Sequence, residues 1–121
     1  MTFRLTPAKL PRLSEREVIR ACLDLLALRG YFVVRVHSGT FKSVDDRRWI
    51  KGAPKGTPDY ACLHARRPGF LLEFKRPGAK PSPEQDTKHF EIRIGYQLAI
   101  GTVDSVEGML AWLEQHERNF P

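Results

Sequence analysis

Two short β-type runs joined by a turn are the strongest constraint on the fold of this 121-residue chain. The runs are DYACLHA (59–65) and FLLEFK (70–75), and the turn RRPG lies between them. Runs of this composition, bounded by Gly and Pro, are typical of strands, and a connection this short allows only antiparallel pairing. The sequence therefore predicts a β-hairpin over residues 59–75.

The segments around the hairpin predict an α/β fold. SEREVIRACLDLLALRG (14–30) is a helix with Ser14 as N-cap and Glu17 in a capping box, ending at Gly30. YFVVRVH (31–37) follows as a buried strand, and residues 38–58 form a long polar loop in which RRWIKG is a candidate short strand. Ser82 caps a helix that runs to about residue 94. YQLAIGT (96–102) is a strand and SVEGMLAWLEQHE (105–117) a closing helix.

The predicted architecture is a mixed central sheet flanked by helices, in the order αβββαβ plus a C-terminal helix. We expect residues 1–13, which contain Pro7 and Pro11, to form an irregular N-terminal arm, and residues 14–121 to form a single domain. The chain has no apolar run long enough to cross a membrane and no signal-peptide segment. Its two cysteines lack zinc-ligand spacing, so we expect reduced core thiols and a cytoplasmic protein.

The hairpin places two carboxylates opposite each other. If its turn is centred near Arg66, residues whose numbers sum to about 132 face each other, and Asp59 and Glu73 do so. Glu73 and Lys75 point to one face of their strand. Paired carboxylates beside an ammonium suit a Mg²⁺ site, because Mg²⁺ prefers oxygen ligands. The alternatives are a solvated strand face for Glu73 and Lys75, and turn chemistry for Asp59.

The first helix supplies a third acidic candidate. On a helical wheel, Glu15 falls near the middle of the apolar face, whereas Glu17 falls on the opposite side. An acid on the core-facing side is costly unless a partner awaits it. We therefore assign Glu15 as a third site carboxylate, with Glu17 as the alternative.

The charge distribution indicates a nucleic-acid partner. The net charge is +6, and residues 1–81 hold 17 of the 20 basic residues but only 7 of the 14 acidic ones. One electropositive surface is typical of nucleic-acid binding proteins, although solubility alone would also explain it. Trp49 lies within the basic run and could stack on a base or pack at a dimer interface. The basic residues that flank the candidate site, and for which we predict phosphate contacts, are Arg47, Arg48, Lys51, Lys55, Arg76 and Lys80.

Several of these segments together resemble the VRR-NUC (virus-type replication-repair nuclease) domain of the PD-(D/E)xK nuclease superfamily. The resemblance runs from Ser14 onwards and rests on SEREVIRACLDLLALRGYFVVRVHSG, KGTPDY, LLEFKRPGAKPSPEQ and YQLAIGTVDSVEGMLAWL. It implies a restriction-endonuclease-like core and metal ligation by Asp59, Glu73, Glu15 and the backbone carbonyl of Phe74. It also implies that Lys75 is the motif lysine and Gln85 the catalytic glutamine that follows it. Phe74 departs from the family, which often has a β-branched residue there.

The resemblance further implies an activity. Small stand-alone members are similar to Holliday-junction resolvases, which are homodimeric Mg²⁺-dependent endonucleases of DNA recombination and repair. We therefore expect hydrolysis of phosphodiester bonds in four-way DNA junctions, with Mn²⁺ able to replace Mg²⁺. The alternatives are a nuclease that acts on flaps, linear duplexes or RNA, and an inactive nucleic-acid-binding module.

Overall fold

The computed structural model describes residues 13–119, with the side chain of Phe41 excepted. Apart from Leu13, the predicted N-terminal arm lies outside the described residues. The elements, in chain order, are α1 (Glu15–Leu28), β1 (Phe32–Arg35), β2 (Thr40–Lys42), β3 (Trp49–Lys51), β4 (Tyr60–Leu63), β5 (Phe70–Phe74), α2 (Pro83–Gly95), β6 (Ala99–Val103) and α3 (Val106–Asn119). The mixed α/β class predicted from the sequence is confirmed.

The helix boundaries follow from local capping chemistry. The Ser14 hydroxyl accepts a hydrogen bond from the Glu17 backbone N–H at 3.2 Å and donates one to the Glu17 carboxylate at 2.9 Å. At the other end, Gly30 adopts φ +87°, a left-handed conformation that favours glycine, and α1 stops just before it. Both ends of the first helix were predicted correctly from these residues.

Four strands form one mixed sheet in the order β1-β4-β5-β6. β4 pairs antiparallel with β1 and β5, whereas β6 pairs parallel with β5. The parallel pair requires a crossover, which α2 supplies between the two strands. None of the helices within residues 13–119 is both long and apolar enough to cross a membrane.

The apolar core lies between one sheet face and the helices α1 and α3. It contains Cys22 and Leu26 from α1, Leu72 from β5, and Met109 and Leu113 from α3, all fully buried. Side chains alternate between the faces of a strand, so the residue after Leu72 points away from this core, towards α2. Because of this alternation, the Glu73 side chain lies on the sheet face that α2 contacts, where it accepts a hydrogen bond from Gln85.

The strand predicted within residues 31–37 is present as β1, but the prediction that it is buried was wrong. β1 is an edge strand of the sheet, and Phe32 and Val34 are 69% and 39% exposed. Only the residues that face the core, such as Tyr31 and Val33, pack against it. A continuous apolar run is typical of a buried strand, but its position in the sheet depends on distant segments.

Residues 38–58 are more ordered than the predicted loop. β2 and β3 form a separate antiparallel ribbon in which Thr40 pairs with Lys51 and Lys42 with Trp49. The short strand suggested by RRWIKG is therefore present as β3, and its partner β2 was not predicted.

Candidate functional site

The hairpin register brings Asp59 and Glu73 to adjacent strands as predicted. The observed pairs are Tyr60 with Leu72, Ala61 with Leu71 and Cys62 with Phe70, and their residue numbers all sum to 132. Asp59 comes directly before Tyr60 and Glu73 directly after Leu72, so the two acids flank the Tyr60–Leu72 pair.

Asp59 is held in place by its neighbours in the chain and in the sheet. Pro58 before it is fully buried. The Asp59 carbonyl accepts a hydrogen bond of 2.7 Å from the Val36 backbone N–H, which extends the pairing of β1 with β4. The backbone that carries this carboxylate is therefore fixed relative to the sheet.

Glu73 is a buried carboxylate with one satisfied and one unsatisfied oxygen. Its exposure is 3%. Oε1 accepts a hydrogen bond from Gln85 Nε2 at 3.0 Å and lies 3.4 Å from Lys75 Nζ. Oε2 is buried and has no hydrogen-bond partner within residues 13–119. An unsatisfied buried oxygen costs stability, so it is a feature that calls for an explanation.

Two effects raise the pKa of Glu73. Burial is the larger, because it disfavours the charged form, and the negative charge of Asp59 is the second. The Lys75 ammonium and a backbone hydrogen bond from Asp59 act in the opposite direction, but the pKa stays above its ordinary value. A cation between Glu73 and Asp59 would offset both unfavourable effects.

Lys75 and Gln85 complete a hydrogen-bonded group around Glu73. Lys75 Nζ donates to Gln85 Oε1 at 2.5 Å, and its side chain is only 17% exposed. Gln85 is itself fixed by a capping box with Ser82, in which each residue's side chain accepts a hydrogen bond from the other's backbone N–H, at 3.1 and 3.2 Å. The start of α2 thus positions the amide that joins Lys75 to Glu73.

Phe74, the predicted source of a carbonyl ligand, lies between the two charged residues. Its ring is buried in the core and packs edge-on against Tyr60, with 5.6 Å between the ring centroids. The side chain thereby anchors the strand segment that carries Glu73 and Lys75.

Glu15 does not occupy the buried position predicted for it. Its side chain is 53% exposed, and its carboxylate accepts a hydrogen bond from Arg76 Nε at 3.2 Å. It does line a small cleft of about 90 Å³ together with Lys75 and Arg76. The alternative, Glu17, accepts a hydrogen bond from the Ser14 hydroxyl.

The acidic side chains do not form a three-ligand group. Within the described part of the chain, no three His, Cys, Asp or Glu side chains could hold a metal ion together. Asp59 and Glu73 are a pair, and Glu15 is engaged elsewhere by Arg76. One or two carboxylates nevertheless suffice for many Mg²⁺ sites, since water and phosphate complete the coordination.

The predicted phosphate-binding residues fall into two sets. Lys55 and Arg76 form ion pairs, with Glu84 at 3.0 Å and Glu15 at 3.2 Å. The other members are exposed and have no ion pair among residues 13–119; they are Arg47, Arg48, Lys51 and Lys80.

One buried polar residue that the sequence analysis did not assign to the site lies on α2. His89 on α2 is 4% exposed, its Nε2 atom has no hydrogen-bond partner within the described chain, and burial lowers its pKa, with Arg93 and Lys75 adding to the effect. Gln85, His89 and Ile92 follow helical spacing, so they share one face of α2. That periodicity was the signal available in the sequence.

No protein-family model matches the chain, and no curated protein matches it.

Proposed function

We propose that this protein is a Mg²⁺-dependent DNA endonuclease of the PD-(D/E)xK type, similar to VRR-NUC domains, that acts on branched DNA. The observation that carries the proposal is the buried Glu73 carboxylate. Its Oε2 atom is unsatisfied and its pKa is raised by burial and by Asp59. Perturbed acids of this kind are typical of functional sites.

The residues present fit a divalent cation. Glu73 Oε2 and the Asp59 carboxylate are oxygen ligands of the type that Mg²⁺ prefers, and the Phe74 carbonyl is proposed as a third. When bound, the ion stabilises negative charge on a phosphodiester and lowers the pKa of a bound water. The proposal does not require Glu15, whose carboxylate is paired with Arg76.

Lys75 and Gln85 are proposed to act beside the metal ligands. Gln85 fixes the Glu73 carboxylate through Oε1, which leaves Oε2 available. The same amide holds the Lys75 ammonium next to the acid pair. From that position Lys75 binds a phosphate oxygen or orients the attacking water, and either role depends on accurate placement.

The substrate is proposed to be DNA because exposed cations flank the acid pair in the sequence. Four of these cations have no ion pair among the described residues, so binding a phosphate does not require them to break one; they are Arg47, Arg48, Lys51 and Lys80. Lys55 and Arg76 would exchange an exposed ion pair for a phosphate, which is a small cost.

A second copy of the chain is the proposed partner. Phe32 and Leu63 face each other across β1 and β4 and are 69% and 51% exposed, and Val34 lies on the same face. Apolar neighbours left in solvent on a sheet face are typical of an interface. Phe32→Glu should convert a dimer to a monomer in light scattering. A wild-type monomer at micromolar concentration would contradict the dimer and leave the nuclease proposal standing.

Cleavage of a labelled four-way DNA junction in Mg²⁺ tests the proposal, with linear duplex, flap and RNA substrates beside it. We expect paired nicks in the junction from the wild type and none from Asp59→Asn. Cleavage of another substrate instead would keep the chemistry and replace the substrate. Binding without any cleavage, in Mg²⁺ or Mn²⁺, would contradict the enzyme and identify a binding module.

A further inference from the structure

The ribbon formed by β2 and β3 has no evident structural role in the main sheet. It spans residues 40–51 and pairs only within itself. A two-stranded ribbon is marginally stable by itself, so a small protein that retains one needs a reason for it. Its surface chemistry and its attachment supply that reason.

The base of the ribbon is firmly attached beside the acid pair. Ala53 N–H donates to the His37 carbonyl at 2.8 Å, and Gly39 N–H donates to the Ala53 carbonyl at 2.9 Å. Only glycine fits at position 52, because a Cβ atom there would lie 2.2 Å from the His37 carbonyl oxygen. The backbone N–H of Val36, one residue before His37, donates a hydrogen bond to the Asp59 carbonyl. The base of the ribbon therefore lies close in the structure to Asp59, a proposed metal ligand.

The two acidic residues of the ribbon are engaged by contacts within it, and four basic residues outnumber them. Asp46 pairs with Lys42 at 3.4 Å. Asp45 accepts hydrogen bonds from the Ser43 hydroxyl and from the Arg47 backbone N–H. The exposed cations Arg47, Arg48 and Lys51 thus remain available to an anionic partner. This charge favours nucleic acid over an apolar protein surface.

The ribbon also exposes an aromatic ring among these cations. Trp49 is 66% exposed, and the Lys42 ammonium lies 5.2 Å from the centroid of its ring. Lys42 is the cross-strand partner of Trp49, and Lys51 lies two residues along the same strand, so all three share one face. An aromatic ring set among cations is the arrangement that binds unpaired bases of single strands.

We propose that the β2–β3 ribbon recognises unpaired bases next to a DNA duplex, with Trp49 stacked on a base and Arg47, Arg48 and Lys51 on phosphates. The inference deepens the proposed function, on which it rests for the identity of the nucleic acid. Because the ribbon starts beside Asp59, the stacked base lies near the acid pair. The ribbon then selects branched or frayed DNA over an intact duplex.

The experiment measures DNA binding in EDTA, so that cleavage plays no part. Fluorescence anisotropy compares a blunt duplex with the same duplex carrying a single-stranded tail, and repeats both with the tail sequence as RNA. We expect Trp49→Ala to weaken binding of the tailed DNA by about 5-fold or more, as for loss of one stacked base, and to leave the blunt duplex unchanged. Trp49→Phe should retain part of the preference.

Matched arginine variants test the phosphate contacts. The double variant Arg47→Ala with Arg48→Ala should weaken binding of both DNAs and reduce the dependence on salt concentration. Arg66→Ala removes an exposed cation at the turn of the β4–β5 hairpin, at the other end of the sheet from Asp59, and should change neither. Since Trp49 is exposed, its variants should melt like the wild type, which excludes misfolding as the cause.

Intrinsic fluorescence gives an independent readout. The chain has two tryptophans, and Trp112 lies half-buried against Phe70. Tailed DNA should quench the wild type but not Trp49→Phe. The inference would be overturned if both Trp49 variants bound each DNA with the wild-type affinity and tailed DNA did not quench the fluorescence of the wild type. So would unchanged DNA binding with an altered dimer fraction, which would make the ribbon a self-association surface. Tail-selective binding without cleavage in Mg²⁺ would keep the ribbon and contradict the nuclease.

Discussion

Glu73 and Glu117 are both largely buried acids, but their surroundings differ. Near one end of β5, Glu117 on α3 is 14% exposed and pairs with Arg29 at 3.3 Å and Arg67 at 3.5 Å. Near the other end, Glu73 is 4% exposed at its side chain and has one lysine, one amide and a neighbouring acid. Glu117 is paired with two positive charges. Glu73 has one positive charge beside it, and the negative charge of Asp59 lies close enough to raise its pKa.

The difference separates an acid that holds the fold together from one that awaits a ligand. Glu117 joins the end of α1, the β4–β5 turn and α3 through its two arginines. Its Oε1 atom has no hydrogen bond within residues 13–119, but the Arg67 guanidinium lies 3.5 Å from it and offsets its charge. Glu73 joins β5 to α2 through Gln85 but leaves Oε2 unsatisfied. A protein that retains such an oxygen beside a second acid gives up stability there, which is typical of functional sites.

The largest expected effect is on cleavage by Glu73→Gln. We expect the rate in saturating Mg²⁺ to fall by more than about 100-fold, because loss of a direct ligand should exceed the effect of losing a residue that only orients one. The melting temperature should not fall, since the buried charge is removed. Glu117→Gln is the matched control and should cleave at the wild-type rate. Equal losses in the two variants would contradict the distinction between them.

Gln85→Ala should lower cleavage by about 10-fold, as expected for a residue that orients a metal ligand and a lysine. The variant also loses part of the helix cap, so Ser82→Ala serves as the control. That change should cost about 1 kcal/mol of stability, as for an N-cap, with little effect on cleavage. If Ser82→Ala lowers the rate as much as Gln85→Ala, the glutamine acts through the helix and not through its amide.

Glu117→Gln should lower the free energy of unfolding, because Arg29 and Arg67 lose their acidic partner. The loss should be only about 1 kcal/mol, since both arginines are partly exposed to water. Urea unfolding measures the change, followed once through the helix signal in circular dichroism and once through tryptophan fluorescence. An unchanged midpoint would show that the ion pairs at this end of β5 contribute nothing to stability.

The smallest expected effect is the pH dependence that His89 contributes. Burial, with Arg93 and Lys75, lowers its pKa in the folded state below the ordinary 6.5. The unfolded chain therefore binds more protons as the pH falls below 6.5, and the contribution of neutral His89 to stability is lost in that range. His89→Phe should flatten this part of the stability profile. Parallel profiles for the two proteins would contradict the assignment.

Much of the site could be predicted because its geometry is local. The β4–β5 register follows from a short turn, so the sequence alone places Asp59 opposite Glu73. Capping chemistry likewise located Ser82 at the start of α2. Both depend on residues close together in the chain.

The errors concern relations between distant segments. A helical wheel gives the direction of Glu15 around the axis of α1, but not whether the sheet covers the first turn, and there Glu15 is exposed and paired with Arg76. The apolar content of β1 likewise could not show that it lies at the sheet edge. The contact of Gln85 with Glu73 and the attachment of the ribbon also depend on tertiary structure.

The most direct test of the central claim is a calorimetric titration of the protein with Mn²⁺, in the absence of DNA, for the wild type, Glu73→Gln and Glu117→Gln. We expect binding by the wild type and by Glu117→Gln, and its loss in Glu73→Gln. Both acids have a buried oxygen without a hydrogen bond within residues 13–119, but that of Glu117 lies 3.5 Å from the Arg67 guanidinium, whereas Glu73 Oε2 has no ion pair there. Equal Mn²⁺ binding by all three proteins would show that the cation is held elsewhere and would contradict the proposed site.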